Sequence, residues 1–129
     1  MSKREIRHPD KPTPGGPYSA GVLCDGWLFV SGQTPADPRT GKVVGTTIAE
    51  QTRAVLGNIE KILQAGGCSR QDVVKCACHL ADMRDFPGFS KTYGEFFNSG
   101  VLPARITVQS GMSGILVEID AIARVPDKA

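Results

Sequence analysis

Apolar and polar residues alternate in several short runs of the chain, a pattern typical of strands that bury one face. The first run lies near Arg4 to Arg7, and a hairpin is predicted in YSAGVLCDGWLFVSGQ, because Asp25-Gly26 is a strong two-residue turn signal. The same alternation predicts three later strands, over Asp72 to Ala81, Ala104 to Gln109 and Ile115 to Ala123.

Two other segments carry apolar residues at helical spacing. The first helix has Thr46 or Thr47 as its candidate N-cap and Gly66-Gly67 as its end. Its apolar stripe consists of Ile48, Val55, Leu56, Ile59, Ile62 and Leu63. The second helix has Asp85 as its candidate N-cap, and its stripe consists of Phe86, Phe89, Tyr93, Phe96 and Phe97. We interpret this aromatic stripe as core in preference to an aromatic binding box.

This order of elements predicts an α+β fold, in which two helices cover one face of a mixed sheet of about six strands. A length of 129 residues suits a single domain, residues 1–129. The second face of the sheet then has no helix to cover it. It must meet water, a ligand or another subunit.

The composition restricts the partners of the protein. A formal net charge of +2 and 22% charged residues are those of an ordinary globular protein, and the basic residues cluster only at the start of the chain. We therefore expect no nucleic-acid partner. The first residues are too polar for a signal peptide, and no segment reaches the ~18 apolar residues that span a bilayer. These features favour a cytoplasmic protein without a membrane partner.

The four cysteines are interpreted as buried free thiols, because they match no metal-ligand spacing. Cys76 and Cys78 are expected to share the buried face of their strand with Val74 and Leu80. Cys-x-Cys followed at once by His79 does not resemble a zinc motif, and the other histidine is remote in sequence. We therefore expect neither a metal nor an organic cofactor.

The stretch PARITVQS places Arg105 and Thr107 on one face of a strand and apolar residues on the other. The final strand places Glu118 and Asp120 opposite its own apolar residues. If these two strands pair antiparallel, their apolar faces pack under the helices and the four polar side chains gather on the opposite face. The arginine then either forms a cross-strand ion pair or binds a carboxylate ligand. Alternation alone leaves both open.

Several blocks occur in the order GPYS, FVSGQTP, TGKVV, GNIEKILQAGG, DVVKCACHLADMRDF, TYGEFF, LPAR and VEIDAIA. Together they resemble the RidA/YjgF/UK114 family of imine and enamine deaminases, also labelled endoribonuclease L-PSP, from about Pro14 to Arg124. The resemblance implies a fold similar to chorismate mutase of the bacillus type. It also implies a homotrimer whose sheets form a central barrel, with small-molecule pockets at the subunit boundaries.

The resemblance also assigns roles to residues. Arg105 matches the arginine that holds the substrate carboxylate, and Glu118 matches the glutamate that positions water. Substrate-binding positions are Tyr18, Ser31, Gly32, Ser90 and Thr107. Of these, Thr107 stands where many members have cysteine and Ser90 where many have asparagine, and the SGMSG loop (residues 110–114) is short and rich in glycine. These departures leave the preferred substrate open.

The implied activity is cofactor-independent hydrolysis of imino or enamino carboxylates, such as 2-aminoacrylate and 2-imino acids, to 2-keto acids and ammonia. A pathway-specific deaminase, such as a 2-aminomuconate deaminase, is the alternative within this chemistry. A non-catalytic module that binds small molecules or acts as a chaperone is a further alternative. Ribonuclease activity is less favoured, because the chain has two histidines and little net charge.

Overall fold

The computed structural model describes residues 2–11 and 13–127, so the predicted domain limits at residues 1 and 129 lie outside the described residues. Its strands are β1 (Lys3–Ile6), β2 (Gly21–Cys24), β3 (Trp27–Gln33), β4 (Val73–Leu80), β5 (Ala104–Gln109) and β6 (Val117–Arg124). Its α-helices are α1 (Ile48–Ala65) and α2 (Phe86–Phe96). The predicted α+β architecture with two helices and a mixed sheet is confirmed. None of the described helices is long and apolar enough to cross a membrane.

The six described strands form one sheet in the order β1-β2-β3-β6-β4-β5. β4 and β5 are parallel, whereas all other neighbouring strands are antiparallel. The antiparallel pairing of β5 with β6, which the sequence analysis took as a condition, is therefore not formed. Helix α2 connects β4 to β5 as a crossover, which a parallel pair requires, so β5 occupies the edge of the sheet and β6 lies between β3 and β4.

The core lies between the two helices and one face of the sheet, which we call the helix face. In β6 the residues Val117, Ile119, Ala121 and Ala123 are buried, as their alternation predicts. The intervening side chains of β6 lie on the opposite side, the open face. The alternation of β6 thus separates a packed side from a side available for chemistry.

Helix α1 begins after Thr47, one of the two candidate caps. Thr47 Oγ1 accepts a hydrogen bond from the Glu50 backbone N–H at 3.1 Å, and Glu50 Oε1 accepts one from the Thr47 backbone N–H at 3.1 Å. This reciprocal pair satisfies two donors that a helix start leaves free. The helix ends at Gly66, where an added Cβ would lie 2.6 Å from Leu28 Cδ2. Glycine is therefore required there by packing.

Two local predictions are corrected. Val74 is exposed and does not share the buried face with Cys76, because a register shift between Val73 and Lys75 moves it out of alternation. Asp85 occupies the N-cap position of α2 but its side chain makes no capping bond. The side chain of Asp82 instead accepts from the Arg84 backbone N–H at 2.9 Å and caps the preceding 3-10 turn.

We expect Gly57→Ala in α1 and Gly94→Ala in α2 each to raise the free energy of unfolding by about 0.5–1 kcal/mol. An added Cβ at either position meets nothing within 4 Å, so alanine restricts the unfolded chain without a clash. Urea denaturation measures the change. Gly66→Ala is the matched control and should destabilise, because its Cβ would press on Leu28. A loss of stability in both helix-interior variants would contradict the prediction.

Candidate functional site

Arg105 lies on the helix face of the sheet, at its β5 edge. In the parallel pair, Arg105 is opposite Cys76 and Thr107 is opposite Cys78, and both cysteines are buried under the helices. Ile106, on the other side of β5, is 51% exposed. The prediction that the apolar residues of β5 pack under the helices is therefore wrong. An edge strand is only partly covered, so the stem and head of an arginine fit beside α2 while the apolar side continues the open face.

The guanidinium of Arg105 lies against an aromatic wall formed by α2. Its central carbon is 4.9 Å from the ring centroid of Tyr93, 5.4 Å from that of Phe86 and 5.7 Å from that of Phe89. Its Nη1 donates to Ser90 Oγ at 3.3 Å. Arg105 forms no ion pair with any described carboxylate. A cation held by rings and one hydroxyl keeps most of its donors for a ligand.

Glu118 lies on the open face of β6, against the backbone of β3. The register shift between Val30 and Gln33 places two residues, Ser31 and Gly32, opposite one residue of β6. An added Cβ at Gly32 would lie 2.5 Å from Glu118 Oε2, so only glycine lets the carboxylate occupy this position. Glu118 is half-buried and has no ion-pair or hydrogen-bond partner among residues 2–11 and 13–127. Its carboxylate is free to hold water.

Ser31 fixes the segment that precedes β2 and carries Tyr18. Its Oγ donates to the Ser19 carbonyl at 2.6 Å, and its backbone N–H donates to the Ala20 carbonyl at 2.9 Å. The hydroxyl of Ser31 is thus occupied by a structural bond and is not a free nucleophile. Tyr18 is 52% exposed, and it lines with Gly32 a cavity of about 90 Å³.

The seven candidate residues therefore form two groups in one chain. The arginine half-site consists of Arg105, Ser90 and Thr107 on the helix face. The glutamate half-site consists of Tyr18, Ser31, Gly32 and Glu118 beside β3 and β6. Strand β4 separates β5 from β6, so the two half-sites lie about 10 Å apart across two strand spacings, and on opposite faces. The predicted gathering of Arg105, Thr107, Glu118 and Asp120 on one face of a single chain is wrong.

The thiols beneath Arg105 are poorly suited to nucleophilic chemistry. Burial raises the pKa of Cys76 to about 11 and that of Cys78 to about 12. Burial also raises the pKa of Tyr93, whose hydroxyl lies near the Cys76 thiol without a partner of good hydrogen-bond geometry. All three groups stay protonated at neutral pH, so neither thiol supplies a thiolate. Within the described chain, no cluster of His, Cys, Asp and Glu residues is arranged to hold a metal ion.

We expect Thr107→Val to raise the free energy of unfolding by about 1 kcal/mol, and its activity shows whether the hydroxyl of this candidate substrate-binding residue contacts substrate. Thr107 Oγ1 is buried without a hydrogen-bond partner, and valine has the same shape without the unpaired hydroxyl. Thermal unfolding and steady-state rates measure the two effects, with Thr107→Ser as the control that keeps the hydroxyl. Activity lost in the valine variant and kept in the serine variant would instead show that the hydroxyl contacts substrate.

Sequence reasoning missed the aromatic wall as part of the site. The stripe of α2 was interpreted as core, which is correct for Phe89, Tyr93 and Phe97, because all three are buried. Two of these rings, Phe89 and Tyr93, also lie against Arg105, together with Phe86. Helical spacing shows which side chains share a face but not what lies beside that face, so only the placement of β5 reveals the second role.

The comparisons with known proteins cover nearly the whole chain. The family model described as Endoribonuclease L-PSP matches residues 8–125. A RutC family protein of Pyrococcus horikoshii is 42% identical over 123 residues, covering 94% of this chain and 97% of that protein. The 2-iminobutanoate/2-iminopropanoate deaminase of Capra hircus is 39% identical over 125 residues, covering 95% and 90%. The crystal structure of YyfA from Yersinia pestis, of the conserved Rid protein family, superposes with a TM-score of 0.90 at 35% identity, covering 96% of this chain and 100% of that chain.

Proposed function

The chain belongs to the Endoribonuclease L-PSP family, which includes the RidA/YjgF proteins, and we propose that it is a cofactor-independent deaminase of imines and enamines. Its substrates are 2-imino acids and enamines such as 2-aminoacrylate, and its products are 2-keto acids and ammonia. One observation carries the proposal: the Arg105 guanidinium lies on an aromatic wall and forms no ion pair with a carboxylate of residues 2–11 or 13–127. A free planar fork of this kind suits the carboxylate of a small ligand.

The active site forms between two copies of the chain. The arginine and glutamate half-sites face opposite sides of the sheet, so a neighbouring copy is needed to bring them together. The open face supports such an assembly, because it exposes Phe29 at 45%, Ile106 at 51% and Val108 at 37%. A contact between two different surfaces closes into a ring when its rotation fits a whole number of copies, and the ring proposed here is a homotrimer.

In the proposed reaction, Arg105 of one copy binds the substrate carboxylate through two parallel hydrogen bonds. Glu118 of the neighbouring copy accepts a proton from water as the water oxygen bonds to the C=N carbon. Glu118 then returns that proton to the nitrogen. As the C–N bond breaks and ammonia leaves, the new hydroxyl gives its proton to Glu118, which leaves a 2-keto acid, and Glu118 releases this second proton to solvent. The iminium carbon is already electrophilic, so the barrier to hydrolysis needs to be lowered only modestly. Positioning of the substrate and the water by one cation and one carboxylate is enough for this.

A competition assay tests this function. An amino-acid oxidase generates imines in the presence of semicarbazide, and the protein competes for them to release 2-keto acids. Wild-type protein should lower semicarbazone formation, and Arg105→Ala and Glu118→Ala should not. A folded wild-type oligomer that competes for no imine from several amino acids would contradict the proposal.

Ribonuclease activity, the other function that the family's name suggests, has less support. His8 is 4% exposed, and its Nδ1 accepts from the Asp10 backbone N–H at 3.1 Å while Nε2 donates to Asn58 Oδ1 at 3.1 Å. Asn58 in turn donates to the Thr34 and Ala36 carbonyls, so this histidine is part of a saturated structural network. Only one histidine of the chain remains for acid–base chemistry, without a second to act as its counterpart.

A further inference from the structure

The remaining histidine lies beside the carboxylate of the proposed site. In the antiparallel pair of β4 and β6, His79 is the residue directly opposite Glu118. Directly opposed residues on one face of such a pair have Cβ atoms about 4.5–5.5 Å apart. Both side chains lie on the open face and both are half-buried. The sequence does not reveal that His79 lies beside Glu118, because the strand that pairs with β4 is not evident from the pattern.

The ring of His79 is held from one side. Its Nδ1 lies 2.8 Å from Ser110 Oγ, and the Ser110 backbone N–H donates to the Leu80 carbonyl at 2.9 Å. The serine is thus anchored to the end of β4 and in turn fixes the imidazole. No hydrogen bond to Nε2 of His79 is formed within the described residues, and Glu118 likewise has no partner there. The Nε2 atom of His79 and the carboxylate of Glu118 are therefore both available for a hydrogen bond on the same face of the sheet.

The other charged groups that β4 and β6 place on this face are not directly opposite Glu118. Asp120, also on β6, is opposite Ala77 and hence diagonal to His79. Lys75 lies four residues from His79 along β4, a separation of roughly 13 Å. On β5 the neighbour of His79 is Val108, which is apolar. The imidazole is therefore the nearest polar group on β4 or β5 that can orient the Glu118 carboxylate.

We propose that His79 is a positioning residue of the deaminase site, whose Nε2 holds the Glu118 carboxylate through one bridging water. Within one chain, His79 and Glu118 form no direct ion pair. A single water molecule that bridges Nε2 and the carboxylate costs little free energy. The hydrogen bond fixes one carboxylate oxygen and leaves the other for the attacking water. This role rests on the proposed function, but the contact itself does not.

Three substitutions of His79 distinguish the contribution of Nδ1 from that of Nε2. Asparagine places a polar atom where Nδ1 stood and keeps the bond to Ser110, whereas glutamine places one where Nε2 stood. Phenylalanine fills the space without either. We expect His79→Asn and His79→Phe to lower kcat about tenfold with KM changed less than about twofold, and His79→Gln to retain kcat within about threefold of wild type. If the His79 ring served only to support the structure, kcat would follow a different order, and the phenylalanine or asparagine variant would be the most active of the three.

An NMR measurement tests the contact without relying on turnover. The chain has two histidines, so a ¹H–¹⁵N spectrum of the imidazoles contains His79 and, as an internal control, His8. Glu118→Gln should shift the Nε2 signal of His79 and leave that of His8 in place. Unmoved His79 signals, or equal kcat in the glutamine and asparagine variants, would overturn the assignment. If wild type deaminates nothing but the signal still moves, the proposed reaction fails while the His79–Glu118 contact stands.

Discussion

An equal mixture of Arg105→Ala and Glu118→Ala proteins, unfolded and refolded together, should recover about a quarter of wild-type activity. Each variant alone should lose about a hundredfold or more in kcat/KM, since each removes a charged group that meets the substrate or the attacking water. The recovery follows from the sheet geometry. Arg105 on β5 and Glu118 on β6 are separated by β4 and face opposite sides, so in the proposed assembly each site takes one residue from each of two copies.

The expected fraction comes from random assembly. Half of the arginine half-sites and half of the glutamate half-sites in the mixture are intact, so about one pair in four combines two intact halves. Refolding Arg105→Ala with an Arg105→Ala/Glu118→Ala double variant is the matched control and should recover nothing. Mass spectrometry of the intact oligomers confirms mixing. Mixed oligomers without recovered activity would mean that one chain supplies both residues.

Gly32→Ala should lower kcat about a hundredfold, because displacing a reacting group by about 1 Å can cost that much. The methyl group would lie 2.5 Å from Glu118 Oε2, and the carboxylate must move away to admit it. Steady-state rates with a 2-imino acid measure the loss. KM should change less than kcat, since Arg105 on the opposite face keeps its hold on the substrate carboxylate.

Gly111→Ala is the control for Gly32→Ala. Gly111 follows β5 in the loop at residues 110–114, and an added Cβ there meets nothing within 4 Å. This variant should keep its activity and its melting temperature. If Gly32→Ala stays folded and equally active, the position of Glu118 against β3 is not the one used in catalysis.

The helices and strands follow from short-range pattern because each depends on neighbouring residues. Thr47 and Glu50 lie three residues apart, and a capping box can be read from such a pair directly. The buried residues of β6 likewise follow from alternation, since a central strand has one side fully packed. In both cases the residues that determine the structure are close together in the chain.

The position of Arg105 did not follow, because alternation gives two faces without saying which is buried. At the edge of a sheet neither face is fully covered, so the usual preference for burying apolar residues does not decide the orientation of β5. The contact of Glu118 with Gly32 depends on a register shift in β3 and joins residues far apart in sequence. The shift that exposes Val74 is of the same kind. A register shift interrupts the two-residue alternation of side chains along a strand, and the amino-acid composition does not reveal where it occurs.

The alternation of β6 has a consequence for how this protein can evolve. Residues 117, 119, 121 and 123 bear the packing, so most changes there are removed by lost stability before any new activity can be tried. Asp120 and Ile122 lie between them on the other side, the side of Glu118, and can be exchanged with the packing intact. If the proposed function holds, single mutations on one short strand can therefore alter which substrates are accepted while the protein stays stable enough to fold. Changes in activity and the maintenance of stability thus depend on alternate residues of the same strand.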